Sequence, residues 1–303
     1  MNTIYLYNSV ILLVATTIFG LEYISVQWSL NSMGPIWVIE SSLLLSSLFS
    51  LPFFPWKEFN DWKVSFVAGA LLEAMFMLQA LSLKYTSINR SAFLISTAVL
   101  FIPMIERLIW KHKTTHMEYG FCCIGLLGIA IMCKPTVYEL NLGDLAAFGA
   151  ALCLAIYTLW IDQCILRVES TWSFSLAQLM VAAIIGLPTA FGVEVNIPTI
   201  QTPFLTLVNI VFIAIFCNLL ACFLRIKSQK VLKPLTVGII MLFESPLAVI
   251  FSWGIFNQKP ALHEVTGATI IGLATLLSIS TLSKRKKIEN TALKLTKKGE
   301  SLC

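Results

Sequence analysis

Charge is what this chain has least of. Asp, Glu, Lys and Arg together make up 12% of its 303 residues, about half the share found in an average soluble domain. Histidine is scarcer still, with three residues in all. The eight cysteines form no CxxC pair and show no metal-ligand spacing. Disulfides are therefore not indicated, and neither a metal nor any other cofactor is expected. Thiols that fall within apolar runs, such as Cys122, Cys153, Cys217 and Cys222, act as small apolar residues. A Walker loop, a Rossmann fingerprint and a nucleophile elbow are all missing. ATP drive and covalent catalysis thus have no support, and an enzyme is not expected. No soluble domain is present to carry a nucleic-acid reading element, so the net charge of +5 needs another explanation.

What the chain does have is length of apolar run. It is 57% hydrophobic, with a mean hydropathy of +0.83. A helix needs about 20 residues to cross the hydrocarbon of a bilayer, and ten such runs occur between short polar breaks. They are predicted near 6–28, 35–54, 64–83, 91–110, 117–133, 143–161, 172–192, 204–224, 235–253 and 262–282. The signal is continuous apolarity, not ten-residue alternation, which argues for helices and against a membrane barrel. The first run lacks Lys or Arg ahead of it and has no small-x-small site, so it is expected to stay as a spanning helix and not to act as a signal peptide.

The basic residues are distributed unevenly between the two sides. With a cytoplasmic N-terminus, even-numbered helices return the chain inward. The inner segments then carry Lys57, Lys63, Arg107, Lys111, Lys113, Arg167, Arg225, Lys227, Lys230, Lys233 and the seven basic residues of the tail. That is 17 of the 21 Lys and Arg. This positive-inside bias predicts both termini in the cytoplasm and an even helix count. The Lys-Arg-Lys-Lys run at 284–287 follows the last helix, where it can meet anionic headgroups. Membrane lipid is thus the first expected partner, and a monomeric chain is expected.

The chain also resembles itself. LFIPMIERLIW at 100–110 has a counterpart in LFESPLAVIFSW at 242–253, and HMEYG at 116–120 in HEVTG at 263–267. Five helices per half is an odd number, so the second half would enter the bilayer from the opposite side. The expected organisation is a first five-helix repeat at 1–137, a second at 138–283 and a basic tail at 284–303. Inverted repeats of this kind allow alternating access to a central site.

These motifs resemble the drug/metabolite transporter superfamily, and within it the EamA-type ten-helix transporters. The strongest stretch is LLEAMFMLQALSLKYTSINRSAFLISTAVLFIP at 71–103. It is similar to the family's pattern of a third helix with a YTS exit, followed by an aromatic, a small or apolar residue and Pro. Glu244 and Pro246 resemble the family's E-x-P element, and IFGLEYISVQWSL at 18–30 resembles its first-helix pattern. The resemblance covers about residues 6–282 and implies an all-α polytopic fold in an inner, cytoplasmic membrane. Two departures bear on substrate. Glu22 stands where the family often has a neutral polar residue, and Glu40–Ser41 stands where many members have Arg-Phe. Both changes move the site away from anionic solutes.

Glu22, Glu40, Glu73, Glu106 and Glu244 all lie inside apolar runs. Lipid tolerates such groups only where they face a protein interior or a watery cavity. Structural pairing of the carboxyl groups is the bland alternative. The functional reading places Glu22, Glu73 and Glu244 at a solute site, with Gln79, Tyr157 and Asn218 as neutral contacts, and Glu22, Glu40 and Glu106 in proton coupling or gating. Gln79 lies six residues past Glu73 and so about 120° away around a helix. Basic residues near mid-membrane are expected to be absent. The resulting expectation is a secondary transporter of a small cationic or zwitterionic metabolite, an amino acid or related amine, with protons as a second partner. Organic-cation or drug efflux is the alternative within transport, and a non-transporting membrane scaffold is the alternative outside it.

Overall fold

A computed structural model describes residues 3–29, 32–86, 88–110, 115–133, 140–194, 203–256 and 259–300. Every described apolar run is helical, as lipid demands of a backbone that has no water to pair with. The order is α1 Thr3–Ser29, α2 Pro35–Ser50, a 3-10 turn Leu51–Phe53, α3 Trp62–Tyr85, α4 Ile88–Ser96, α5 Ala98–Trp110, α6 His116–Cys133, α7 Leu142–Cys164 and α8 Thr171–Val193. Then follow α9 Pro203–Phe212, a π-helical stretch Ile213–Ala221, α10 Cys222–Gln229, α11 Pro234–Met241, α12 Glu244–Phe256 and α13 Leu262–Glu300. Among the described residues nine spans are long and apolar enough to cross a membrane, and His116–Met132 is a shorter apolar helix. The ten predicted runs all coincide with these segments.

Three spanning segments are not continuous α-helices, a detail that run length alone does not carry. The fourth breaks between α4 and α5 at Thr97, whose hydroxyl donates back to the Leu94 carbonyl at 2.6 Å. Pro103 then sits inside α5. The ninth breaks at Leu242–Phe243 and restarts as α12 at Glu244, with Pro246 in the first turn. There the missing amide hydrogen of proline costs no helical bond. The eighth widens into the π-helical stretch before resuming as α10. Interruptions of this kind in a spanning helix occur where the segment lines a cavity or an ordered site.

Burial runs opposite to that of a soluble protein. Leu108 and Phe204 are each 79% exposed, while Glu40, Asp144 and Gln178 are fully buried. The apolar residues on the outside form a lipid-facing girdle, and the polar ones turn inward. Small residues let the helices approach closely. On α6 and α13, Gly128 and Gly267 face each other's backbone carbonyls. Gly69 brings α3 against the Gln178 carbonyl and Val181 of α8. The largest apolar cluster, which includes Leu43, Leu72, Tyr157, Ile161, Phe174 and Leu179, ties α2, α3, α7 and α8 together. Asn141 and Asp144 form a capping box that fixes the start of α7.

Candidate functional site

A cavity of about 140 Å³ lies where the interrupted segments meet. Its wall includes Ser96, Ala98 and Val99 at the α4/α5 break and Gly238, Met241, Leu242, Glu244 and Ser245 at the α11/α12 break. Glu22 of α1, Gln79 of α3, Thr158 of α7 and Arg225 of α10 complete its polar surface. The remaining lining is mostly apolar, with Phe19, Met75, Phe76 and Leu154 prominent. Val26 and Leu83, near the ends of α1 and α3, border it toward one face of the bundle. Thr158 and Arg225, near the ends of α7 and α10, border it toward the other.

Glu22 and Glu244 are half-buried, and both act electrostatically on shared neighbours: Glu244 feels Glu22 and Arg225, and the thiol of Cys217 feels both carboxylates. Arg225 is only 6% exposed. Its Nη2 donates to Thr158 Oγ1 at 2.9 Å, and its guanidinium carbon lies 5.1 Å from the centroid of the Tyr157 ring. Thr158 in turn donates to the Leu154 carbonyl at 2.7 Å, and Tyr157 donates to Gln178 Oε1 at 3.0 Å. Arg225 Nε has no acceptor. Among the described residues no salt bridge within 4.0 Å joins Arg225 to Glu22 or Glu244.

This guanidinium is a correction to the sequence reading. Arg225 was expected in a cytoplasmic segment and internal bases were expected to be absent, yet the eighth span runs from Phe204 to Gln229 and encloses it. The physical reason is the packing of α10 against α1 and α8, which turns one face of the helix inward. A sequence signal for it existed. Arg225 and Gln229 are four residues apart, which puts them on one helical face, and both are buried while Lys227 and Lys230 are exposed.

The predicted site residues divide into groups. Glu22, Gln79 and Glu244 line the cavity. Glu73 does not, and the 120° between it and Gln79 on α3 is the reason: Leu72, Met75, Phe76, Gln79 and Leu83 occupy the cavity-facing side. Glu73 instead meets Glu40 of α2, carboxyl to carboxyl. Both are buried, at 1% and 0% exposure. None of their four oxygens has a hydrogen-bond partner, and a Cβ at Gly186 of α8 would overlap the Glu40 carboxyl. Tyr157 lies behind the lining, as the ring on which Arg225 rests. Asn218 faces α2, where its amide donates to Ser42 Oγ at 3.2 Å and Ser46 Oγ at 3.1 Å. Glu106 is half-buried on α5 and is not among the lining residues. Of the nearby aromatic rings, Phe76 lines the cavity, and the Trp160 indole donates to the Val64 carbonyl at 3.2 Å. The side chain of Tyr23 and His112 lie outside the described residues. Among the described residues no cluster of His, Cys, Asp and Glu could hold a metal ion.

The EamA-like transporter family model matches residues 7–133 and 141–280. An uncharacterized transporter of Archaeoglobus fulgidus is 23% identical over 272 residues, covering 90% of this chain and 85% of the relative. The uncharacterized transporter YvbV of Bacillus subtilis is 24% identical over 240 residues, 75% of each chain. A solved crystal structure superposes with a TM-score of 0.77, covering 92% of this chain and 98% of its own, at 12% identity. At that identity the likeness concerns the fold. The chain belongs to the EamA-like family of the drug/metabolite transporter superfamily. It is a multi-pass membrane transporter and not an enzyme.

Proposed function

We propose that this EamA-like transporter moves a small cationic or zwitterionic metabolite, an amino acid or related amine, across the cytoplasmic membrane by alternating access. The observation that carries the reading is the pair of carboxylates, Glu22 and Glu244, on two packed helices that line one cavity between interrupted segments. An ammonium group entering the cavity finds two acceptors of opposite charge, with Gln79 as a neutral one. Apolar surroundings keep the local dielectric low and strengthen that attraction. Reconstituted vesicles with a panel of charged solutes test it: counterflow is expected for primary amines or amino acids. Preference for sugar phosphates or other anions would overturn the reading. Equal acceptance of unrelated lipophilic cations would favour drug efflux.

Two inverted repeats at 1–137 and 138–283 supply the moving parts in this proposal. The breaks in the fourth and ninth segments fall at Thr97, three residues ahead of the 100–110 stretch, and at Leu242–Phe243, where its counterpart 242–253 begins. Corresponding interruptions in two halves are the sequence mark of a midplane site in repeat-built carriers. Both termini, including the basic tail at 284–303, are placed in the cytoplasm. A cysteine introduced at 196 is then expected to be labelled from outside intact cells, and Cys303 only after permeabilisation. The reverse pattern would sink the topology.

Protons are the second proposed solute. Two carboxylates buried side by side repel each other, and a hydrogen on one of them relieves that repulsion, so the buried Glu40–Glu73 pair supports a place for a proton beside the cavity. This supports a role for Glu40 in gating or proton coupling, with Glu73 as its partner. Glu106 remains a candidate gate at the inner end of α5.

A further inference from the structure

We infer that Arg225 is the residue that selects for a free carboxylate on the solute, so that the substrate is a zwitterion carrying both an amine and a carboxylate. This rests on the proposed function, in which Glu22 and Glu244 receive the amine, and it adds the opposite end of the solute. An arginine enclosed in a spanning helix is costly unless it is paired, and this one has few partners. It is nine-tenths buried, one Nη donates to Thr158, its face lies on Tyr157, and its Nε–H has no acceptor. A guanidinium offers five donors in a planar fork that matches a carboxylate. Most of that capacity is left over at a residue that lines the cavity.

The surroundings hold the fork ready and do not consume it. Thr158 is itself tied to the Leu154 carbonyl, and Tyr157 to Gln178, so the two groups that fix the guanidinium are both anchored in α7 and α8. Arg225 acts on Glu244 through space, but no salt bridge within 4.0 Å joins it to Glu22 or Glu244 among the described residues, so neither acid occupies the fork. One base and two acids in a single cavity of about 140 Å³ form a dipolar receptor. An α-amino acid satisfies both poles, and the apolar wall formed by Phe19, Met75 and Leu154 takes the rest of the solute. A monoamine satisfies only the acidic pole and leaves the guanidinium unpaired, which is the costlier outcome in a buried site.

The test is a binding comparison on the purified full-length protein, using each of the twenty amino acids and the carboxamide of each. Wild type is expected to prefer the amino acid over its amide by roughly 10- to 100-fold, the range of a hydrogen bond to a charged group. In Arg225→Gln that ratio is expected to fall toward one, and in Arg225→Lys to an intermediate value, since the charge is kept and the fork is lost. A residue that merely balances charge would change the affinity for amino acid and amide alike and leave the ratio intact, and that result overturns the inference. If Arg225→Gln does not fold, the wild-type ratio decides alone: amides bound as tightly as amino acids exclude the carboxylate role. Binding of amines with no carboxylate preference defeats this inference while leaving the proposed function standing. Absence of binding by any amine-bearing probe defeats the proposed function itself.

Discussion

Glu22→Gln and Glu244→Gln are each expected to lower amine or amino-acid binding by roughly 30-fold or more and to reduce counterflow to background. Gln keeps the volume of Glu and much of its hydrogen bonding, so the change isolates charge from packing. Removing one partner of a buried, hydrogen-bonded charge pair costs about 2–5 kcal/mol, and every 1.4 kcal/mol is tenfold in affinity. Both side chains line the cavity and are half-buried, which places the loss in recognition more than in folding. Glu73→Gln supplies the contrast. Its carboxyl lies away from the cavity against Glu40, so solute affinity is expected to stay near wild type while the pH dependence of net flux changes. Isothermal titration on purified protein, beside flux in vesicles, separates the two. Wild-type affinity and wild-type flux in both Glu22→Gln and Glu244→Gln would remove the cavity from consideration as the solute site.

Gly267→Val is expected to be the most damaging single change to the fold. The α13 backbone at Gly267 lies against the Gly128 carbonyl and Met132 of α6, and Gly128 returns the contact to Gly267 and Ile271. A side chain here meets backbone that cannot rotate away, so the two helices have to separate along their shared seam. Overpacking of a well-filled interface costs roughly 1–3 kcal/mol, and occasionally more, while a membrane interface draws its stability mainly from such packing. Yield of monodisperse protein and thermal midpoint in detergent are the measurements. Gly254→Val is the control, because a Cβ at Gly254 meets no atom within 4 Å and should leave both unchanged. Equal behaviour of the two variants would show that the α6–α13 seam is not what holds this part of the bundle.

Much of the molecule is legible in its sequence because the bilayer is a severe solvent. Any run of about 20 apolar residues must form a helix there, so the ten runs locate the described spanning segments without reference to their partners. The same severity makes each acid inside a run conspicuous, and Glu22 and Glu244 do line the cavity. Family patterns at 71–103 and around Glu244–Pro246 agree with the family match over 7–133 and 141–280.

What composition and spacing could not decide is which way each polar side chain turns, because that depends on the helix packed against it. Glu73 looks the equal of Glu22 in the sequence, but α2 and α8 close around it and bring Glu40 to its side. Asn218 looks like a cavity residue until Ser42 and Ser46 of α2 take its amide. Arg225 reads as a cytoplasmic residue at the end of an apolar run, and only the packing of α10 beside α1 and α8 draws it inside. Lipid exclusion acts on each segment separately and is therefore written in local sequence. The pairing of a buried charge is a contact between distant segments, so the tertiary structure alone decided which acids reach the cavity and that a base joins them there.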